Sequence, residues 1–141
     1  MRNGYITPVG SNGWFPKGGD QAKYPQQATD VMAMVLLFFE AFMITKKKKY
    51  LKKMFQSFTW FLGENDLRVP LYDYETKGCC DGLESFGVNR NQGAESTLAY
   101  LISTLTVLKA SSKEYHIGVE KSKADSLEPG QKKDQEEQPV S

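Results

Sequence analysis

The chain has 141 residues, with 18 basic and 17 acidic side chains and a net charge of +1. That length corresponds to about one domain. The charge balance excludes a strongly cationic nucleic-acid grip and gives no electrostatic reason for binding an anionic membrane. Apolar residues make up 40 % and aromatics 12 %, enough for most of the chain to be packed.

Residues 1–25 hold five glycines, three prolines and the Trp14–Phe15 pair, which reads as irregular chain with aromatic contact points. There is no apolar signal core or lipidation motif at the start. The first helix is expected from about Gln26 to Ile44. Val31, Met34, Val35, Phe38 and Phe42 form one stripe at helical spacing, and Met32, Leu36, Leu37, Phe39 and Met43 fill other faces. The strongly apolar run from Val31 to Phe39 is far shorter than the ~20 residues that span a bilayer. A helix this apolar needs neighbours on several sides.

The second helix is expected to start after Thr45 as N-cap and to run to about Leu62, with Leu51, Met54, Phe55, Phe58 and Leu62 on one side and Lys47, Lys48, Lys52 and Lys53 on the other. A very short turn joins the two helices into an αα-hairpin. The Lys46–Lys49 run reads as a solvated helix start. The stretch 63–92 has no helical period, and its Asp, Asn, Gly and aromatic content points to an ordered binding loop. The third helix is expected over about Gly93 to Lys109, with Leu98, Leu101, Ile102, Leu105 and Leu108 as its stripe, Glu95 in the first turn and Lys109 in the last. From about Ser111 the composition is too polar to offset ordering entropy, and a disordered tail is expected over 111–141.

Three helices, one of them apolar all round, do not close a core. Met32, Leu36, Phe39 and Trp60 are left seeking partners. The residues suggest where such partners belong. The strings Trp60-Phe61-Leu62-Gly63-Glu64-Asn65-Asp66, Pro70-Leu71-Tyr72-Asp73, Gly78-Cys79-Cys80-Asp81-Gly82-Leu83 and Gly87-Val88-Asn89-Arg90-Asn91-Gln92-Gly93-Ala94-Glu95-Ser96-Thr97 resemble the C-terminal end of a six-hairpin (α/α)6-toroid domain. That domain is glycosidase-like in fold and is found behind retaining, nucleotide-sugar-dependent glycosyltransferases in bacteria. Gln26, Gln27 and Asp30 match a Gln-Gln-Pro-x-Asp-Ala segment of the group, with Ala28 and Val31 in place of its proline and alanine. The resemblance covers about residues 10–110. It implies an all-α, partial toroid with about three of twelve helices, lacking the transferase part: a C-terminal remnant of a carbohydrate-active protein, inactive alone.

Glycoside hydrolysis needs two carboxyl groups roughly 5 to 9.5 Å apart, and Asp81 with Glu95 is the candidate catalytic pair. The more ordinary use of these residues is a turn beside Gly82 for Asp81 and a helix N-terminus for Glu95. Trp14, Gln26, Gln27, Asp30, Asn89, Asn91 and Gln92 are the candidate sugar-binding residues, the amides for hydrogen bonds to hydroxyls and Trp14 for stacking in its glycine-rich loop. Loops 10–25 and 63–92 would line the sugar cavity. Trp60, Tyr72 and Tyr74 also suit stacking, although core packing is the ordinary use of such rings.

A single histidine, His116, excludes a Ser-His-Asp triad and a histidine-based metal cluster. Asp73, Glu75 and Asp81 do not have the spacing of a calcium loop. Adjacent Cys79 and Cys80 build no disulfide framework, so free thiols in a reducing, cytoplasmic setting are expected, with no cofactor and no metal. Two functional classes remain: a carbohydrate-active fragment, and a helical interaction module whose apolar faces bind another chain, either the missing remainder of the toroid or a second copy. A decayed product without function is a third, weaker reading.

Overall fold

Apolar surface on every side makes the first helix the centre of the packing. In the structure, a computed structural model that describes residues 4–13 and 15–126 with side chains as far as residue 113, this helix is α1, Ala28–Thr45. It buries Val31, Val35, Phe39 and Phe42. By length and composition alone α1 is also apolar enough to cross a membrane. Helix α2, Lys48–Phe58, packs on it through Leu51 and Met54 and continues into a 3₁₀ turn, Thr59–Leu62. Thr45 is not the N-cap of α2. It is the last residue of α1, where its Oγ1 donates to Ala41 O (2.6 Å) and accepts from Lys47 N–H (3.3 Å). Lys46, in the left-handed region with φ 56°, makes the reversal between the helices. Lys46 to Lys49 are exposed, as expected.

The all-α expectation needs correction. Three very short strands form an antiparallel sheet in the order β1 (Gln26–Gln27), β2 (Gly82–Glu84), β3 (Gly87–Asn89). Gln26 lies opposite Leu83 and Gln27 opposite Gly82, while Leu83 pairs Val88 and Glu84 pairs Gly87. Strands of two and three residues leave no alternating pattern to find, which is why the sequence shows a loop there. The architecture is mostly helical with this small sheet.

Gln26, in β1 just before α1, joins three parts of the core. It is completely buried. Its Oε1 accepts the Trp60 indole N–H (3.0 Å), and its Nε2 donates to Asp66 Oδ2 (2.7 Å) and Lys23 O (3.2 Å). The Asp66 carboxylate also lies 3.3 Å from the Tyr5 hydroxyl, which donates to it, and 3.8 Å from the Lys23 ammonium. Around this network, Trp60 meets Phe61 edge-on at 5.3 Å, Phe61 meets Tyr100 at 5.6 Å, and Tyr100 stacks on Tyr72 at 4.3 Å. Trp60 and Tyr72 are therefore packing residues, and Phe39 is buried too, so neither Phe39 nor Trp60 seeks a partner; Met32 and Leu36 are half-buried.

Helix α3, Ala94–Ser126, extends well past the expected end at 109 and places 111–126 in helix where a disordered tail was expected. Residues 127–141 lie outside the described residues. The chain divides into two units, Met1–Ala110 and Ser111–Ser141. The face that α3 buries is not its leucine stripe. Ser96, Ala99, Ser103, Thr106 and Ala110 are turned inward, and Leu98, Leu101, Ile102, Leu105 and Leu108 are all exposed. Small residues let the helix axis approach the core closely. The hydroxyls are satisfied within the helix, Ser103 Oγ donating to Ala99 O (2.7 Å) and Thr106 Oγ1 to Ile102 O (2.8 Å).

Replacing Gln26 by Leu keeps the volume and removes both arms of the bridge, stranding the Trp60 N–H and one face of Asp66. Urea unfolding of Gln26→Leu should show a loss of about 2–4 kcal/mol, with an unchanged m-value. A loss within error would show that the bridge is not structural.

Candidate functional site

The N-termini of α1 and α3 meet at the sheet and enclose a pocket of about 310 Å³, at the small end of the range for ligand clefts. Its polar lining includes Gln27, Asp81, Glu84, Asn89, Glu95 and Ser96. Backbone proximity decides which residues gather there. A side chain at Gly82 would place its Cβ 2.6 Å from Gln26 O, so only glycine lets β2 approach β1. With Gly82 between them, Gln27 and Asn89 come from the two outer strands to either side of it.

Asp81, just before β2, is committed to α3. Its Oδ1 accepts the Gly93 backbone N–H (2.8 Å) and lies 2.6 Å from Ser96 Oγ, and its Oδ2 accepts a short hydrogen bond from Asn91 Nδ2. The Ser96 hydroxyl is also 2.9 Å from Cys79 O and 3.0 Å from Gly93 O, so one serine ties the loop, the carboxylate and the helix start together. Gly93 allows this closeness, since a Cβ there would sit 2.9 Å from Asp81 Oδ1. Hydrogen bonds from Ser96 and Asn91, and then from Gly93 N–H, hold the Asp81 carboxyl below its ordinary value of 3.8 against a smaller opposing effect of burial. Asp81 caps α3 from outside the helix. A carboxylate so held stays ionised at neutral pH, does not serve as a general acid, and has both oxygens occupied.

The sequence-predicted residues divide as follows. Asp81, Glu95, Gln26, Gln27 and Asn89 all line the pocket. Gln26 does so while its side-chain amide is fully used in the core. Gln27 is exposed, with Nε2 3.3 Å from Ser11 Oγ, and as the N-cap of α1 it makes no side-chain capping bond. Asn91 is one step back, holding Asp81. Gln92 is turned away from the pocket. Its Nε2 donates to Asp73 Oδ2 (3.1 Å) and its Oε1 accepts from Thr76 Oγ1 (2.7 Å), which fixes the 73–78 turn. Asp73 itself accepts the Glu75 and Thr76 backbone N–H groups, and these bonds hold its carboxyl low as well. Asp30 is exposed in the first turn of α1 and is not part of the lining. Trp14 and the side chain of His116 lie outside the described residues. Among the described residues of loop 10–25 Pro25 alone lines the pocket. Glu84 and Ser96 are additions; Ser96 lies in the Gly87–Thr97 string that carries the resemblance, whereas only strand pairing brings Glu84 in.

Cys79 and Cys80 are free and buried. Burial, reinforced by the neighbouring Cys80 and Asp81 charges, pushes the Cys79 thiol up to about 12. Such a thiol is not a nucleophile. Among the described residues no cluster of His, Cys, Asp and Glu is placed to hold a metal ion. No protein-family model matches the chain, and no curated protein gives a significant match.

Because the folded-state carboxyl of Asp81 lies below its unfolded value, its contribution to stability is complete above about pH 4 and is lost as pH falls through the folded value. Asp81→Asn should therefore lower stability at neutral pH by about 1 kcal/mol. Melting curves of the two proteins should converge as the pH falls through the folded-state value of Asp81; a pH-independent gap would argue against a charge-based cap. A thiol-reactive dye at mildly alkaline pH should leave Cys79 unlabelled in the native protein and label it fully in urea. Rapid native labelling would contradict the burial that sets its reactivity.

Proposed function

We propose that the chain is the C-terminal part of a carbohydrate-active protein, of the six-hairpin, glycosidase-like (α/α)6-toroid kind associated with bacterial glycosyltransferases, and that the pocket between the two helix N-termini is its sugar-binding cleft. The observation that carries this reading is the convergence of Gln27, Asn89 and Glu95, three of the residues picked for hydrogen bonding or catalysis, on one small pocket. A carboxylate and two amides suit a polyol: the carboxylate accepts from vicinal hydroxyls, and the amides both donate and accept. The volume accommodates a small ligand such as one sugar ring.

The pocket binds without cleaving. Asp81 is engaged by α3 and stays ionised, which leaves the Asp81–Glu95 pair without the protonated acid that glycoside hydrolysis requires. A cytoplasmic setting fits the two free thiols. Titration with a panel of mono- and oligosaccharides, followed by amide chemical shifts, should perturb resonances of Gln27, Asn89 and Glu95. Gln27→Ala with Glu95→Gln should weaken the binding roughly tenfold or more, a hydrogen bond to a charged group such as Glu95 being worth about 1.5–3 kcal/mol net and one to a neutral amide about 0.5–1.5 kcal/mol. Shifts scattered away from the pocket, or none across the panel, would sink the sugar reading.

A second reading has its own support. The outward leucine face of α3, with Leu98 55 %, Leu105 65 % and Leu108 58 % exposed, favours an interaction module that binds another polypeptide.

A further inference from the structure

The burial of α3 follows a heptad. With Leu98 at position a, the inward residues Ser96, Ala99, Ser103, Thr106 and Ala110 fall only at b and f, while Leu98 and Leu105 take a, Leu101 and Leu108 take d, and Ile102 takes e. The solvent side of the helix therefore presents the narrow leucine seam of a coiled coil and not a scatter of apolar side chains. Ala94 and Ser112, both exposed, continue the seam at d and a.

The seam is also symmetric along the helix. Its order is Ala94, Leu98, Leu101, Leu105, Leu108, Ser112, small at both ends with spacings of four, three, four, three and four residues. It reads the same from either direction. No charged residue interrupts α3 between Glu95 and Lys109, and both of these are exposed at e positions, one at each end; within its own chain the Lys109 ammonium lies 5.5 Å from the centre of the Phe39 ring, a contact it would exchange for the ion pair. An antiparallel twofold pair then sets Leu98 against Leu108 and Leu101 against Leu105 of the other copy. It crosses Ile102 with Ile102, and it brings Glu95 beside Lys109 of the other copy at both ends. A parallel pair makes none of these ion pairs. From the fractional exposures, the five large apolar side chains from Leu98 to Leu108 offer on the order of 500 Å² per copy, so a pair covers ~1,000 Å², the threshold of a specific interface.

We propose that the outer face of α3 is a homodimer interface, occupied by the same face of a second copy of this chain in antiparallel register. The proposal rests on the interaction reading of this face and not on the sugar reading, although the face shares Glu95 with the pocket. In isologous contact the same residues serve both copies, so a single seam closes the assembly and leaves no open end. It also brings a lysine of the second copy to Glu95, at the edge of the pocket.

Light scattering after size exclusion, on the full chain at micromolar concentration, tests it. The expected mass is twice the 15.9 kDa of the chain. Leu101→Glu, an exposed substitution, should return the mass to that of one chain while the circular dichroism stays unchanged. Ile102→Cys should form a covalent dimer under mild oxidation, and Leu98→Cys should not. A dimer that survives Leu101→Glu, or one in which Leu98→Cys self-crosslinks and Ile102→Cys does not, overturns the antiparallel pair. So does a wild-type chain that is monomeric. In that case a hydrophobic dye separates the two failures: dye binding abolished by Leu101→Glu leaves the face available to a different polypeptide, and no dye binding removes the interaction reading as well.

Discussion

One buried amide ties together three segments of the first unit of the chain. Gln26 sits where β1 turns into α1, and its three hydrogen bonds reach the 3₁₀ turn through Trp60, the following loop through Asp66, and the N-terminal segment through Lys23 O. A glutamine suits this position because an amide both accepts and donates, so it can face an indole N–H and a carboxylate at once. With every arm satisfied, hydrogen bonds offset the desolvation cost of burying the group, and the side chain specifies one arrangement of three segments. Its backbone pairs with Leu83, so the same residue sets the register of the sheet that floors the pocket.

Asp81 plays the corresponding role at the opposite wall. By capping α3 from the loop it decides where that helix starts, and so where Glu95 and Ser96 stand. This use of the carboxylate has a chemical consequence. A group stabilised in its ionised form by three donors is a good anchor and a poor proton donor. Structure and catalysis compete for the same oxygens, and here structure has them.

Helix α3 reverses the usual amphipathic arrangement. Its inward face is alanine, serine and threonine, which lets Tyr100 reach the aromatic cluster of Phe58, Phe61 and Tyr72 and lets Ala110 pack beside Phe39 and Phe42. Leucines would hold the helix too far out for that contact. The leucines are displaced to the outside, where they form a contiguous apolar face.

The amino-acid sequence by itself determined the three helices, because an apolar repeat of 3.6 survives whatever surrounds it. It also pointed to Asp81, Glu95, Gln27 and Asn89, carboxylates and amides whose side-chain chemistry suits hydrogen bonding to a ligand, and the fold gathers all four. Helical spacing gave Leu98, Leu101, Ile102, Leu105 and Leu108 as one stripe but not the side on which it lies. Periodicity says that residues share a face, and only the neighbours say which face is buried. The same limit hid the sheet, whose strands exist through pairing and not through any local pattern, and it hid Glu84, which reaches the pocket by that pairing alone. Gln26 and Asp81 looked like ligand-binding groups for a related reason. Their chemistry is visible in the chain, but the partners that occupy them, Trp60, Asp66, Gly93 and Ser96, are set by tertiary contact across distances that residue order does not encode.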